Sequence, residues 1–169
     1  TRHFIVDKEE RTFELNPESV TAFKAVLLRS LGFTRASFGV QSFNPKYLRY
    51  LGRRHEALAG FRAFKLLRDA GFDNINVDMM FGFPGQTAAE LDADIDAVVS
   101  LGSEHVSLYA LTVEPKSVFH VRGEKPLDDV QAAYYRRLCT RLNSAGLGQY
   151  EVSNFARPGF EARHNLNYW

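Results

Sequence analysis

A single cysteine, Cys139, is present in 169 residues, beside two methionines and one tryptophan. One thiol closes no intrachain disulfide, and it cannot hold a cysteine-ligated metal cluster, which needs several thiolates. Its scarcity agrees with a reducing, cytoplasmic home. Neither sign of charge is in excess: 21 lysines and arginines stand against 20 aspartates and glutamates, for a net charge of +1. With no basic block, no nucleic-acid partner is expected. No apolar run reaches the length of a bilayer span. The first residues, TRHFIVDKEERTF, lack the apolar core segment and small-residue cleavage site of a signal peptide. What is there reads as globular. Apolar residues make up 45% of the chain, enough for a sizeable core, and the length fits one domain or a large part of one.

The hydrophobic period alternates between strand-like and helix-like along the chain. Strands are expected at 12–15, 35–40, 75–81, 106–111 and 149–153. Asn16-Pro17-Glu18 offers a cap and a first-turn proline for a helix to about Leu31, closed by Gly32. Asn44-Pro45 repeats that start for a short turn. Residues 57–70 predict a helix with Leu58, Phe61, Phe64, Leu66 and Leu67 on one broad apolar face. Thr87-Ala-Ala-Glu90 is a capping-box pattern ahead of a helix to about Leu101. A loop bearing Pro, Gly and charge covers 114–127, and the stretch from Asp128 to Gln131 offers a cap for a helix reaching Ala145. This alternation argues for right-handed βαβ crossovers and a parallel sheet. The strands read as apolar on both faces over much of their length, as a sheet covered by helices requires.

In parallel α/β folds, ligands bind at the rim where the strands end. Glu14 lies near the end of the first expected strand, Gln41 directly after the second, Asp78 within the third, Thr112 after the fourth, and Glu151 and Asn154 near the fifth. Each alone is ordinary loop chemistry; the set carries more weight. Asp78 stands out because Asn76-Val77-Asp78-Met79-Met80-Phe81 places a carboxylate among apolar neighbours. A buried charge needs a cation, a hydrogen-bond donor or a ligand nearby. The ordinary alternative is a structural ion pair with an arginine. Phe81-Gly82-Phe83-Pro84-Gly85-Gln86-Thr87 is a turn that allows close backbone approach to an anionic group, or is simply a tight βα loop. It is not a P-loop, since no Gly-Lys-Ser/Thr follows. Arg53 and Arg54 precede an expected helix start, where an arginine suits a bidentate carboxylate contact, and for Arg54 a solvated helix end is the better reading. Cys139, between Leu138 and Leu142, reads as core. His105 and His120 lack metal-ligand spacing and receive no role.

Several segments, taken in order, resemble one family. They are Phe13-Glu14-Leu15-Asn16-Pro17-Glu18-Ser19, Gly39-Val40-Gln41-Ser42-Phe43-Asn44, Leu51-Gly52-Arg53, Asn76-Val77-Asp78 with the Phe81–Thr87 turn, Ser107-Leu108-Tyr109-Ala110-Leu111, and His164-Asn165-Leu166-Asn167-Tyr168-Trp169. Together they resemble the oxygen-independent coproporphyrinogen III oxidase-like radical-SAM proteins. The terminal HNxxYW run, with Gln149–Ala156, points to the HemW (heme chaperone) branch rather than the HemN (oxidase) branch. The fold class so implied is α/β: a partial TIM-like (β/α) barrel with parallel strands, truncated at both ends. Residues 1–11 are then an irregular N-terminal remnant, 12–156 the partial barrel, and 157–169 the start of a connection to a further domain.

The resemblance implies that Glu14, Gln41, Arg53 and Asp78 contact S-adenosylmethionine, with Thr112 matching a contact made largely through backbone. In the family, a CxxxCxxC loop holds a 4Fe–4S cluster that cleaves this cofactor to a 5′-deoxyadenosyl radical. That loop is absent here, so the chain by itself is expected to be inactive and to bind no cluster. The HemW branch implies heme or a porphyrin as ligand, a heme-accepting protein as partner, and a membrane-associated acceptor without a membrane segment in this chain. His164, the histidine in a motif, is a candidate axial heme ligand; the alternative is that it fixes a turn. Two rival readings remain: an oxygen-independent coproporphyrinogen III oxidase, and a cluster-free heme-binding module.

Overall fold

A computed structural model describes residues 10–53, 56–124 and 126–166, with backbone alone at 57 and 118. Four strands run parallel and side by side: β1 (Thr12–Leu15), β2 (Arg35–Gln41), β3 (Ile75–Phe81) and β4 (His105–Ala110). Their crossovers carry α1 (Ala22–Ser30), α2 (Pro45–Tyr50) with α3 (Ala57–Asp69), and α4 (Ala88–Leu101). Beyond β4 come a short α5 (Val118–Val121), α6 (Asp128–Ser144), β5 (Gly148–Gln149), β6 (Asn154–Ala156) and α7 (Arg163–Leu166). The sheet order is β1-β2-β3-β4-β6-β5, and among the described residues it is open along β1 and β5. The parallel part is the expected α/β arrangement.

Three expectations are corrected. The strand at 149–153 is instead an antiparallel hairpin: β6 pairs with β4, and β5 lies outside it. The reason is local. The Glu151 carboxylate accepts from the Ser153 backbone N–H (3.0 Å) and from the Asn154 amide, closing a turn where the strand would have continued. Next, the helix expected from Asn16 begins later. Pro17–Ser19 form a 3-10 turn, Val20 is extended and buried, and the Thr21 hydroxyl caps α1 by accepting from Lys24 N–H at 3.2 Å. Likewise no side chain caps α6, which starts after Leu127. The Thr87–Glu90 capping box, by contrast, is formed as expected at the start of α4.

The third correction concerns the faces of the sheet. One face is apolar and packs on the helices: Phe38 and Val40 from β2, Val77 and Met79 from β3, Val106 and Leu108 from β4, against Phe64, Leu67, Leu91 and Ile95. Burying each such side chain contributes about 1.5–3 kcal/mol. The other face is polar along its length, so the strands are not apolar on both sides. Side chains alternate with period two, and part of this second face lies against α7, whose His164 and Asn165 share a small cavity with Arg35, Asp78 and Ser107. Among the described residues, no helix is long and apolar enough to cross a membrane.

Candidate functional site

The polar face is written across neighbouring strands. β1 contributes Thr12 and Glu14; β2 contributes Arg35, Ser37 and Gly39; β3 contributes Asn76 and Asp78; β4 contributes His105, Ser107 and Tyr109. The register sets Glu14 beside Ser37, Gly39 beside Asp78, and Asp78 beside Ser107. Asn154 of β6 lies beside Ser107 and extends the row. Glu151 sits in the hairpin turn and not at the end of a parallel strand.

Glu14, Gln41 and Asp78 line one cavity of about 630 Å³, together with Asn16, Ser37, Gly39 and the apolar Leu27 and Leu28 of α1. Gln41 reaches it through a register shift after Gly39 and a left-handed backbone, φ 68°. Its amide then lies back over Gly39, where a Cβ would approach Gln41 Nε2 to 2.5 Å. Only glycine leaves room for that side chain. Arg53 stands at the rim, where its guanidinium donates to Asn16 Oδ1 at 3.0 Å. Arg54 lies outside the described residues.

Asp78 is not surrounded by apolar groups, because Val77 and Met79 point to the helix face. Burial raises the pKa of its carboxyl; hydrogen bonds from Asn76 and Ser107 and the charge of Arg35 pull it down, and Glu14 pushes it up again. The nearby donor and cation that a buried carboxylate needs are therefore Asn76 and Arg35, with Asn76 Nδ2 donating to Asp78 Oδ1 at 2.7 Å.

The other expected residues are less central. Thr112 is exposed beyond β4 and lines a separate depression with His120 and Gln131. His164 of α7 is 64% exposed at its side chain, with Nδ1 3.7 Å from Glu10. It also borders a small polar cavity of about 80 Å³ shared with Arg35, Asp78 and Asn165. Asn167, Tyr168 and Trp169 lie outside the described residues. The Phe81–Thr87 turn offers no anion cradle, since Gln86 Oε1 already accepts from Gly82 N–H (2.8 Å) and Phe83 N–H (3.3 Å). Cys139 packs partly buried against the core, as expected, with Sγ 3.7 Å from Gln149 Oε1.

Arg35, His105 and Tyr150 were not singled out by sequence reasoning. Arg35 is 2% exposed and its Nε has no partner among the described residues. His105 is fully buried, and burial pushes its pKa down to about 3, with Arg35 and His164 adding to the effect. The available signal was alternation: Arg35-x-Ser37-x-Gly39, Asn76-x-Asp78 and His105-x-Ser107-x-Tyr109 each set polar groups two residues apart.

Residues 4–98 match the radical SAM superfamily. The chain belongs to the radical SAM superfamily. This radical SAM chain is 41% identical over 168 residues to a protein named heme chaperone HemW in Bacillus subtilis, covering 96% of this chain and 44% of the relative. Against heme chaperone HemW of Escherichia coli the identity is 39%, covering 95% and 43%. The chain thus spans less than half the length of these curated relatives. Among solved structures, coproporphyrinogen III oxidase (HemN) of Escherichia coli, described as a radical SAM enzyme, aligns with a TM-score of 0.80 at 25% identity, over 90% of this chain and 36% of that one. The open sheet therefore corresponds to part of a TIM-like barrel. Membership implies S-adenosylmethionine and a 4Fe–4S cluster as cofactors of the superfamily. The cluster does not fit these residues: Cys139 is the one cysteine, and the described residues hold no group of three His, Cys, Asp or Glu placed for a metal.

Proposed function

We propose that this chain is the S-adenosylmethionine-side portion of a HemW-type radical SAM protein whose task is heme handling. The observation that carries this reading is the convergence of Glu14, Gln41 and Asp78, from three adjacent strands, on one cavity. The cofactor's sulfonium and ammonium are cationic, and two carboxylates face that space. Glu14 suits the ammonium. Arg53, steered by Asn16, suits the carboxylate beside it. Gln41 supplies a donor and an acceptor, and Asp78 meets either a ribose hydroxyl or a nearby cation. Thr112 rests on resemblance alone. Bound beside a reduced cluster, the cofactor supplies one-electron chemistry through its sulfonium. The thiolates for that cluster are not in this chain, whose one cysteine is Cys139.

In this reading 12–156 is barrel, 157–169 leads toward a further domain, and 1–11 is a remnant that falls almost wholly outside the described residues. The setting is cytoplasmic, the ligand heme or a porphyrin, and the acceptor a heme-accepting protein that is free or membrane-associated. His164 is the candidate axial ligand, and its exposure leaves its imidazole accessible. Greater identity to the HemW sequences than to HemN favours the chaperone over the oxidase.

Calorimetric titration of the chain with S-adenosylmethionine is expected to show saturable binding, weakened about tenfold in Asp78→Asn through loss of one charge-assisted contact. Absence of saturable binding overturns the cavity assignment, and equal affinity removes Asp78 from it. Heme titration followed at the Soret band is expected to shift, and the shift to disappear in His164→Ala. An unchanged shift in the variant excludes His164 as the ligand.

A further inference from the structure

A hydrogen-bond chain crosses the polar face from α7 to Asp78, and the backbone donor at its α7 end sets its direction. The Tyr150 hydroxyl lies in the hairpin turn and receives two N–H donors, Ala162 N at 3.2 Å and Asn165 Nδ2 at 3.0 Å. Both lone pairs are then used, and its one proton goes to the remaining neighbour, His105 Nε2, at 2.6 Å. An imidazole that accepts at Nε2 and is held neutral carries its proton on Nδ1. Neutrality follows from place: the ring is fully buried, with the Arg35 guanidinium nearby and His164 beyond it. Nδ1–H therefore donates to Asn76 Oδ1 at 2.6 Å, and Ser107 Oγ lies 3.1 Å from the same oxygen. With its oxygen so occupied, Asn76 must turn its NH₂ the other way. Those two protons meet Ser37 Oγ at 2.9 Å and Asp78 Oδ1 at 2.7 Å.

We propose that Tyr150, His105 and Asn76 are positioning residues for Asp78: the one-way chain fixes the imidazole tautomer, the tautomer fixes the amide, and the amide presents a donor to the carboxylate. An amide turned over would present its oxygen to Asp78 and its NH₂ to Nδ1–H, two repulsive contacts at once. The donor acts beside other charges: Glu14 from β1, Arg35 from β2 and the Tyr109 phenol from β4 all face the same carboxylate. The proposal makes Asp78 an oriented anion before any ligand arrives. It deepens the cofactor reading in that Asp78 is the group positioned, yet the chain of bonds is testable without ligand.

The test is nuclear magnetic resonance on the intact, ligand-free chain. Imidazole ¹⁵N signals are expected to report a single Nδ1–H tautomer at His105 that does not titrate between about pH 5 and pH 8. In Tyr150→Phe the Nε2 donor is gone. The ring is then expected to move to the Nε2–H form that imidazole ordinarily favours, Asn76 to turn over, and the ¹³C carboxyl midpoint of Asp78 to rise by about one pH unit. His105→Gln, whose amide can still donate to Asn76, is expected to hold the Asp78 midpoint near wild type. A merely structural Tyr150 would lower stability and leave that midpoint where it was. An Nε2–H or doubly protonated His105 in the wild type overturns the proposal, even if Tyr150→Phe does not fold. So does an unmoved Asp78 midpoint in a folded Tyr150→Phe. Titration with S-adenosylmethionine speaks to a separate question: tautomer and midpoint as stated with no cofactor binding would remove the cofactor reading and leave the positioning chain intact.

Discussion

Gly39 shows how one missing side chain shapes the cavity. Its backbone lies outside the positive-φ region, so an alanine there meets no strain of its own; it meets the end of the Gln41 side chain. A flexible amide can swing away at a cost of less than about 1 kcal/mol. Gly39→Ala is therefore expected to melt within a few degrees of wild type while losing about tenfold in S-adenosylmethionine affinity. Gln41→Ala should show the same loss, and the double variant no more than either alone, since both remove one amide from one place. Additive losses would mean that Gly39 acts on something other than Gln41. Glu14 and Gln41 were legible in the sequence because strand ends can be located from local pattern, and Asp78 because a carboxylate stands out within an apolar strand. Arg35, His105 and Tyr150 were not, because their significance lies in register. Asn76 meets His105 across β3 and β4, and Tyr150 arrives from a turn 45 residues beyond His105.

Elements whose determinants are contiguous were legible to their ends. The strand at Ile75–Phe81 and the capping box opening α4 depend on side chains within a few residues of one another. Where a local competitor intervened, legibility stopped. Glu151 turned a promising extended run into a hairpin corner, and Thr21 took over the cap that Asn16 offered. In each case a side chain bonding to backbone outweighed propensity. The polar face was misread for another reason. Strands β2 and β3 are buried on both sides, so hydrophobic content is high enough to mask alternation, although the polar residues keep period two throughout. What separates the two faces is the partner: α3, α4 and α6 cover one, while the other looks onto the cavity.

Three buried or bridged titratable groups give the whole molecule an uneven response to acid. His105 stays neutral in the fold down to about pH 3, while the unfolded chain takes up that proton near 6.5. Its contribution is complete above pH 6.5 and is lost as pH falls below that, by about 1.4 kcal/mol per unit. Asp94 has the opposite sign. Burial pushes its pKa up to about 6, although it accepts from Ser42 Oγ and Phe43 N–H, each at 2.7 Å. The fold thus holds a proton that the unfolded chain releases near 4, and stability rises as pH falls from about 6 to about 4. Glu90, held down to about 2 by the Thr87 backbone N–H, Tyr47 and Lys46, loses its contribution below about 4.5. Between pH 6 and pH 4 the first two slopes oppose each other, so urea midpoints are expected to be nearly flat there and to drop below pH 4. Asp94→Asn removes the compensating slope, and its midpoint should fall steadily from pH 6.5 downward. His105→Gln removes the other, and that variant should grow more stable on acidification from 6 to 4. Parallel pH profiles for all three proteins would show that neither buried group titrates with folding.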